Sequence, residues 1–358
     1  MRKTYLDNVR WITVVLVVIY HVIYMFNGVT KYGVIGPFCD VQFQDTFLYL
    51  VYPWFMLLLF VVSGMAARFE LETKAPQDFF RARTRKLLVP STIGLFVFQW
   101  ILGYYNLLIA GAFDQMSTVP KPVLYLILAG SGVGPLWYIQ MLWIFEVILL
   151  LVRKIEKDRL YHICDKTPCI ILWLFIFLIY GAAQVLNTPI IVVYRFGIYG
   201  AGFFIGYFVM SHDHVMERLE KQWILFTAAG VISGLVFTIL CWQKSYPDHE
   251  VLDTFCCNVF AWSGTLGVLA FMKKWGGFEN GFSRFMIKKS WGLYLFHYLP
   301  IAVTAFYLKQ IMPGLAPLLV YFVTAVAGFA GAIVLYEIIS RIPGLCWCVL
   351  GMKGRVKK

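Results

Sequence analysis

The sequence predicts an all-α polytopic membrane protein with about ten transmembrane helices and both termini in the cytoplasm, and three observations carry that prediction. The first is composition. Of 358 residues, 60% are hydrophobic and 14% charged, against about 45–50% and about 25% in soluble domains, and the mean hydropathy is +0.73. The second is the block pattern: residues 46–67, 88–113 and 254–272 carry no Asp, Glu, Lys, Arg or His. About 20 apolar residues cross a bilayer as a helix. The third is the distribution of cations, which fall on alternate connections.

Taken in order, the spans lie near 11–28, 47–67, 88–111, 136–152, 169–186, 190–210, 223–241, 254–272, 291–308 and 315–339. On that frame one face holds 26 Lys and Arg and the other only Lys31, Lys121, Lys244 and Lys309, with Arg195 inside a span. The positive-inside rule places the populated face, and with it both termini, in the cytoplasm. The net charge of +12 therefore reports topology, not nucleic-acid binding. The first span lacks a small-residue cleavage site and is followed by others, so it is not a removable signal peptide. Residues 5–340 read as a single transmembrane domain and 341–358 as a basic cytoplasmic tail. No polar stretch is long enough for an added soluble domain, since the largest connections, 68–87 and 112–135, are loop-sized. Eight cysteines lack CxxC spacing, which argues against a zinc site or disulfide framework. The absence of an internal repeat with matching broken helices argues against a secondary transporter.

In such a chain, polar groups within spans carry the information, because each needs a partner or a wet cavity. His21 lies eleven residues after Arg10, about 16 Å further along one helix, which puts Arg10 at the cytoplasmic rim and His21 near mid-membrane. Two readings of His21 stand: a structural imidazole bonded to a neighbouring helix, or a base or nucleophile held away from bulk water. Arg81, Arg83, Arg85 and Lys86 lead directly into the third span. They read either as a topology anchor on anionic lipid or as a clamp for phosphate, which arginine grips bidentately. A phosphorylated carrier such as coenzyme A suits that clamp. Glu146 falls within the fourth span, with Arg195 as a possible partner for it, either as a structural pair or shaping an acceptor pocket. His297, two turns inside the ninth span, reads first as a helix-to-helix hydrogen bond. The His212-Asp213-His214 run offers two plausible ligands, too few for a metal site.

Several of these residues together resemble the acyltransferase-3 family of integral membrane acyltransferases. The opening Tyr5-Leu6-Asp7-Asn8-Val9-Arg10, ten residues and His21 are similar to that family's first span. Phe60-Val61-Val62-Ser63-Gly64 resembles its aromatic run ending in Ser-Gly. Phe80-Arg81-Ala82-Arg83, with Arg85 and Pro90 behind, resembles its Phe-x-x-Arg segment. Leu136-Trp137-Tyr138 and Leu293-Tyr294-Leu295-Phe296-His297 are also similar to recurring family features. The resemblance extends over about residues 5–340 and is to the stand-alone type, similar to the succinyltransferase of osmoregulated periplasmic glucans. It implies transfer of an acetyl or succinyl group from cytoplasmic acyl-CoA to a hydroxyl, or less readily an amine, of an extracytoplasmic glycan, lipid-linked acceptor or other envelope molecule. By that implication His21 is catalytic, and Arg10, Arg83 and Arg85 hold the donor, joined by Arg81 and Lys86 of the cluster. Glu146 or Asp45 is the candidate to orient the imidazole, and Trp137, Tyr138, Arg195 and His297 are acceptor-pocket or structural residues. No metal is implied, and the location is the bacterial cytoplasmic membrane. The rival reading is a transporter or flippase for an anionic or glycan substrate.

Overall fold

The computed structural model describes residues 3–30, 33–188 and 192–352. Arg2, Lys31 and the tail residues 353–358 of the expected charge pattern lie outside them. Among the described residues the chain is built of helices, with one isolated bridge between Asn187 and Arg195. In order these are α1 (Thr4–Met25), α2 (Thr46–Leu71), α3 (Pro76–Arg83), α4 (Val89–Gly94), α5 (Trp100–Ile109), α6 (Lys121–Ser131), α7 (Leu136–Glu156), α8 (Arg159–Cys164) and α9 (Cys169–Ala183). There follow α10 (Phe196–Ile205), α11 (Asp213–Lys221), α12 (Trp223–Cys241), α13 (His249–Leu252), α14 (Phe255–Trp275), α15 (Gly281–Phe296), α16 (Tyr298–Ile311), α17 (Pro317–Arg341) and α18 (Pro343–Leu350).

Among the described residues seven helices or helical runs are long and apolar enough to cross a membrane, and α15 with α16 makes an eighth as a pair bent by 56°. This is a multi-pass all-α membrane fold. The other two expected spans are short helices, Cys169–Ala183 and Phe196–Met210. Fifteen residues rise about 22 Å, less than the roughly 30 Å of a hydrocarbon core. The chain turns after Ala183, with Leu186 at φ 58°, and the next described helix begins at Phe196. The expected loop 112–135 contains α6, and the expected basic tail begins with the apolar α18.

Among the described residues two runs contain π turns: Pro76–Ile109 at Thr84–Leu88 and Leu95–Gln99, and Phe196–Met210 at Gly206–Met210. The first has a local cause. Pro90 has no N–H to offer the carbonyl of Lys86, so the hydrogen-bond ladder cannot keep its register through this turn. The N–H of Val89 donates instead to Thr84 O, five residues back.

The chain divides into two compact units. The first comprises 1–16, 46–80 and 144–288. There α2 meets α10 through glycine: a Cβ on Gly64 would lie 2.0 Å from Phe203 O, and one on Gly206 would lie 2.0 Å from Val61 O. Without a hydrophobic force between helices in lipid, such close backbone approach is what packing requires. At the end of α2, buried Arg68 binds Asp158 at 2.6 Å and Glu72 at 3.0 Å, with its guanidinium 3.5 Å from the Tyr161 ring centroid. His212 stacks on that ring at 3.9 Å, its Nε2 2.9 Å from Tyr161 O and its Nδ1 3.2 Å from Asp165.

The second unit comprises 17–45, 81–143 and 289–358. In it α5 packs on α6 with no room for a side chain at Gly103, where a Cβ would fall 1.7 Å from Leu128 O. Trp291 of α15 donates to Leu350 O of α18 at 3.2 Å.

Gly64→Ala should destabilise the protein by about 1–3 kcal/mol, the usual cost of overpacking. Gly130→Ala, where nothing lies within 4 Å, should be silent, and thermal unfolding in detergent compares the two. Burial holds the His212 pKa below its ordinary value, against the opposing pull of Tyr161 O and Asp165. The folded state therefore binds fewer protons here than the unfolded chain, so this contribution is present above about pH 6.5 and is lost as pH falls below it. His212→Gln should flatten the dependence of thermal stability on pH between 7.5 and 5.5.

Candidate active site

The second unit gathers the imidazoles. His21, a half-buried residue four turns into α1, is followed in that helix by Tyr24, and its ring lies 5.0 Å from Tyr20, 4.7 Å from Tyr298 and 4.9 Å from His297. His297 is fully buried and occupies the single position between α15 and α16. Pro300, three residues on, cannot donate to Phe296 O, and proline is the common cause of so sharp a helix bend. The bend is what sets His297 at the corner of the pair. Its backbone ladder continues across the corner, with His297 N–H donating to Leu293 O at 3.2 Å and Ile301 N–H to His297 O at 3.3 Å.

The hydrogen bonds assign the tautomers. His297 Nδ1 lies 3.0 Å from Leu293 O and 2.9 Å from Tyr294 O. Carbonyl oxygens only accept, so Nδ1 carries the proton and the neutral ring's Nε2 carries a lone pair. His21 Nδ1 lies 2.8 Å from Val17 O and 3.1 Å from His297 Nε2. Both are acceptors, so His21 also carries its proton on Nδ1. Its Nε2 is therefore the basic edge of the ring.

Around this pair the second unit brings together two other features of the sequence. Tyr294 donates its hydroxyl to Pro135 O, and its ring lies 5.6 Å from that of Tyr138 and 6.3 Å from that of His297. Trp137 neighbours Tyr138 at 6.4 Å. The Leu136-Trp137-Tyr138 and Tyr294-to-His297 segments are thus one aromatic cluster. The basic segment lies at the entry to the third span of the same unit. Arg81 and Lys86 are exposed, Arg83 and Arg85 half-buried. Lys86 sits 5.2 Å from the Trp291 ring centroid, and Thr84 Oγ1 accepts from Trp143 Nε1 at 3.1 Å.

Other expected residues have contacts of their own. Arg10 is in the first unit, 3.7 Å from Asp7. Glu146 is buried on α7 in that unit. Arg195 is not within a helix but at the N-cap of α10, where it binds Asp253 at 3.0 Å and Leu252 O at 3.2 Å. Asp253 is thus an ion-pair partner of Arg195 that the sequence did not suggest. Asp45 accepts from Gly28 N–H at 3.0 Å and lies 3.4 Å from Gln42 Nε2. At the His21 ring the bonds are to Val17 O and His297 Nε2.

A family model described as an acyltransferase domain, acyltransferase-3, matches residues 3–337. No curated protein and no solved structure matches the chain.

Arg195 is buried and Asp253 partly exposed. Removing one partner of a buried pair strands the other charge, at about 3–5 kcal/mol when both are desolvated, so Asp253→Ala should cost about 1–3 kcal/mol after solvent screening. Arg195→Met with Asp253→Ala should recover much of that loss, as read by thermal unfolding.

Proposed function

Because the chain belongs to the acyltransferase-3 family, we propose that it transfers an acyl group, acetyl or succinyl, from cytoplasmic acyl-CoA to a hydroxyl of an extracytoplasmic glycan or other envelope molecule, with His21 as general base. The observation that carries this reading is the tautomer of His21: with Nδ1–H committed to Val17 O and His297 Nε2, the other ring nitrogen is left to take a proton.

In the proposed reaction His21 Nε2 removes the proton of the acceptor hydroxyl as its oxygen attacks the thioester carbonyl. The C–S bond breaks, the new C–O bond remains in the ester, and the proton passes from the imidazolium to the departing thiolate. Positioned general-base help of this kind is typically worth about 10²–10⁴ in rate. Arg83 and Arg85, with Arg81 and Lys86, would hold the donor's phosphates. Two of these cations, Arg85 and Lys86, ride on the π turn that precedes Pro90. The aromatic rings around His21 would exclude water from the thioester and limit its hydrolysis. The cytoplasmic membrane is the proposed location, since donor and acceptor then meet from opposite sides.

The test is release of free CoA from acetyl-CoA and succinyl-CoA by the purified protein in nanodiscs, together with donor binding. His21→Ala should keep binding and lose about 10²-fold or more in turnover. Arg83→Ala should weaken binding, more so at low salt, where charge contacts count most. Full turnover in His21→Ala sinks the base assignment. Movement of a glycan across the membrane without donor consumption supports a flippase in its place.

A further inference from the structure

We propose that His297 is the positioning residue of His21, a neutral imidazole serving where hydrolytic triads place a carboxylate. The inference rests on His21 being the base and adds what holds it. His297 Nδ1–H is spent on two carbonyls of its own helix, at 3.0 and 2.9 Å. Its Nε2 can therefore only accept, and it faces His21 Nδ1 at 3.1 Å. The bend between α15 and α16 holds the ring at this angle, and its burial leaves it no water to turn toward.

Two consequences follow for the chemistry. Before reaction, Val17 O and His297 Nε2 together fix the rotation of the His21 ring, which aims Nε2 in one direction. During reaction, the proton arriving on His21 Nε2 makes the ring cationic. The hydrogen bond from its Nδ1–H to His297 then becomes charge-assisted, and such bonds are roughly twice as strong as neutral ones. The interaction gains strength only as charge develops, which is the requirement for it to raise turnover and not merely affinity. No proton leaves His21 for His297 in this scheme. A carboxylate at this depth would bring a standing charge that must be desolvated; the imidazole answers the transient cation without one.

Two measurements test this. The first needs no turnover: nitrogen-15 spectra of ring-labelled histidine in the membrane-embedded wild type, with six histidines assigned by single replacements. His21 and His297 should both be protonated at Nδ1, and a through-bond coupling should connect His21 Nδ1 to His297 Nε2. A proton on His297 Nε2, or no coupling, overturns the inference. The second is kinetic, by CoA release from acetyl-CoA and succinyl-CoA. His297→Leu should lower kcat roughly 10–100-fold, short of the ~10⁴ seen when an ionised orienting carboxylate is lost, with KM for the donor within about twofold. His297→Gln, whose Oε1 can accept from His21, should recover most of the rate. Equal impairment of both variants with KM raised in step marks a structural role and overturns the proposal. If His21→Ala is inactive while His297→Leu is unimpaired, positioning alone fails; if His21→Ala is active, the base assignment fails first.

Discussion

A hydrocarbon core offers no hydrogen bonds, so every polar group that this chain carries into the membrane has to be answered from within the chain. The four contacts of the His21–His297 pair follow from that requirement. Three of them end on backbone carbonyls, which only accept, and the fourth is between the rings. Once the carbonyls have claimed both Nδ1 protons, the ring-to-ring bond has one possible direction. A solvent-exposed histidine pair would sample both tautomers of each ring; here burial removes that freedom, and the chemistry of the basic edge is a by-product of satisfying the donors.

The same requirement explains where the helices depart from regularity. Pro90 and Pro300 each remove one N–H from a ladder that has no water to replace it. At Pro90 the chain responds by widening a turn, so that Val89 N–H reaches Thr84 O, and the cations Arg85 and Lys86 ride on that widened turn. At Pro300 it responds by bending 56°, and His297 stands at the bend. Half of the proposed clamp, Arg85 and Lys86, and the proposed positioning imidazole are thus carried by irregularities next to a proline. Irregular backbone within membrane helices is tolerated where neighbouring groups can resatisfy it, and such places are often functional.

How much of this was legible in the sequence differs from residue to residue. The long blocks such as 46–67 and 254–272 are visible as spans because their hydropathy is local. The short α9 and α10 are less so: their composition is equally apolar, and only the turn beginning after Ala183 decides their length. Arg195 stands at an N-cap and not within a span, where Asp253, itself in a loop, is reachable; that pairing depends on the chain's path and has no local trace in the sequence. The partnership of His21 and His297, 276 residues apart, has no local trace. A weaker signal is present nonetheless, since the sequence puts both well inside their spans, and two imidazoles at such depth need acceptors. Pro300, three residues after His297, marked the place of the bend.

Family membership and geometry constrain different things. Membership in an acyltransferase family fixes the class of reaction but not the direction from which a proton is taken. The hydrogen bonds fix the basic edge of His21 but are silent on the acyl group, because one or two methylenes change pocket affinity only modestly. Their overlap is the proposed base: neutral before reaction, cationic during it, and never required to carry a standing charge. A residue of that kind can sit deep in a membrane protein at little cost when idle. It would also suit the proposed thioester donor, whose leaving thiolate needs only the proton that the base has just taken.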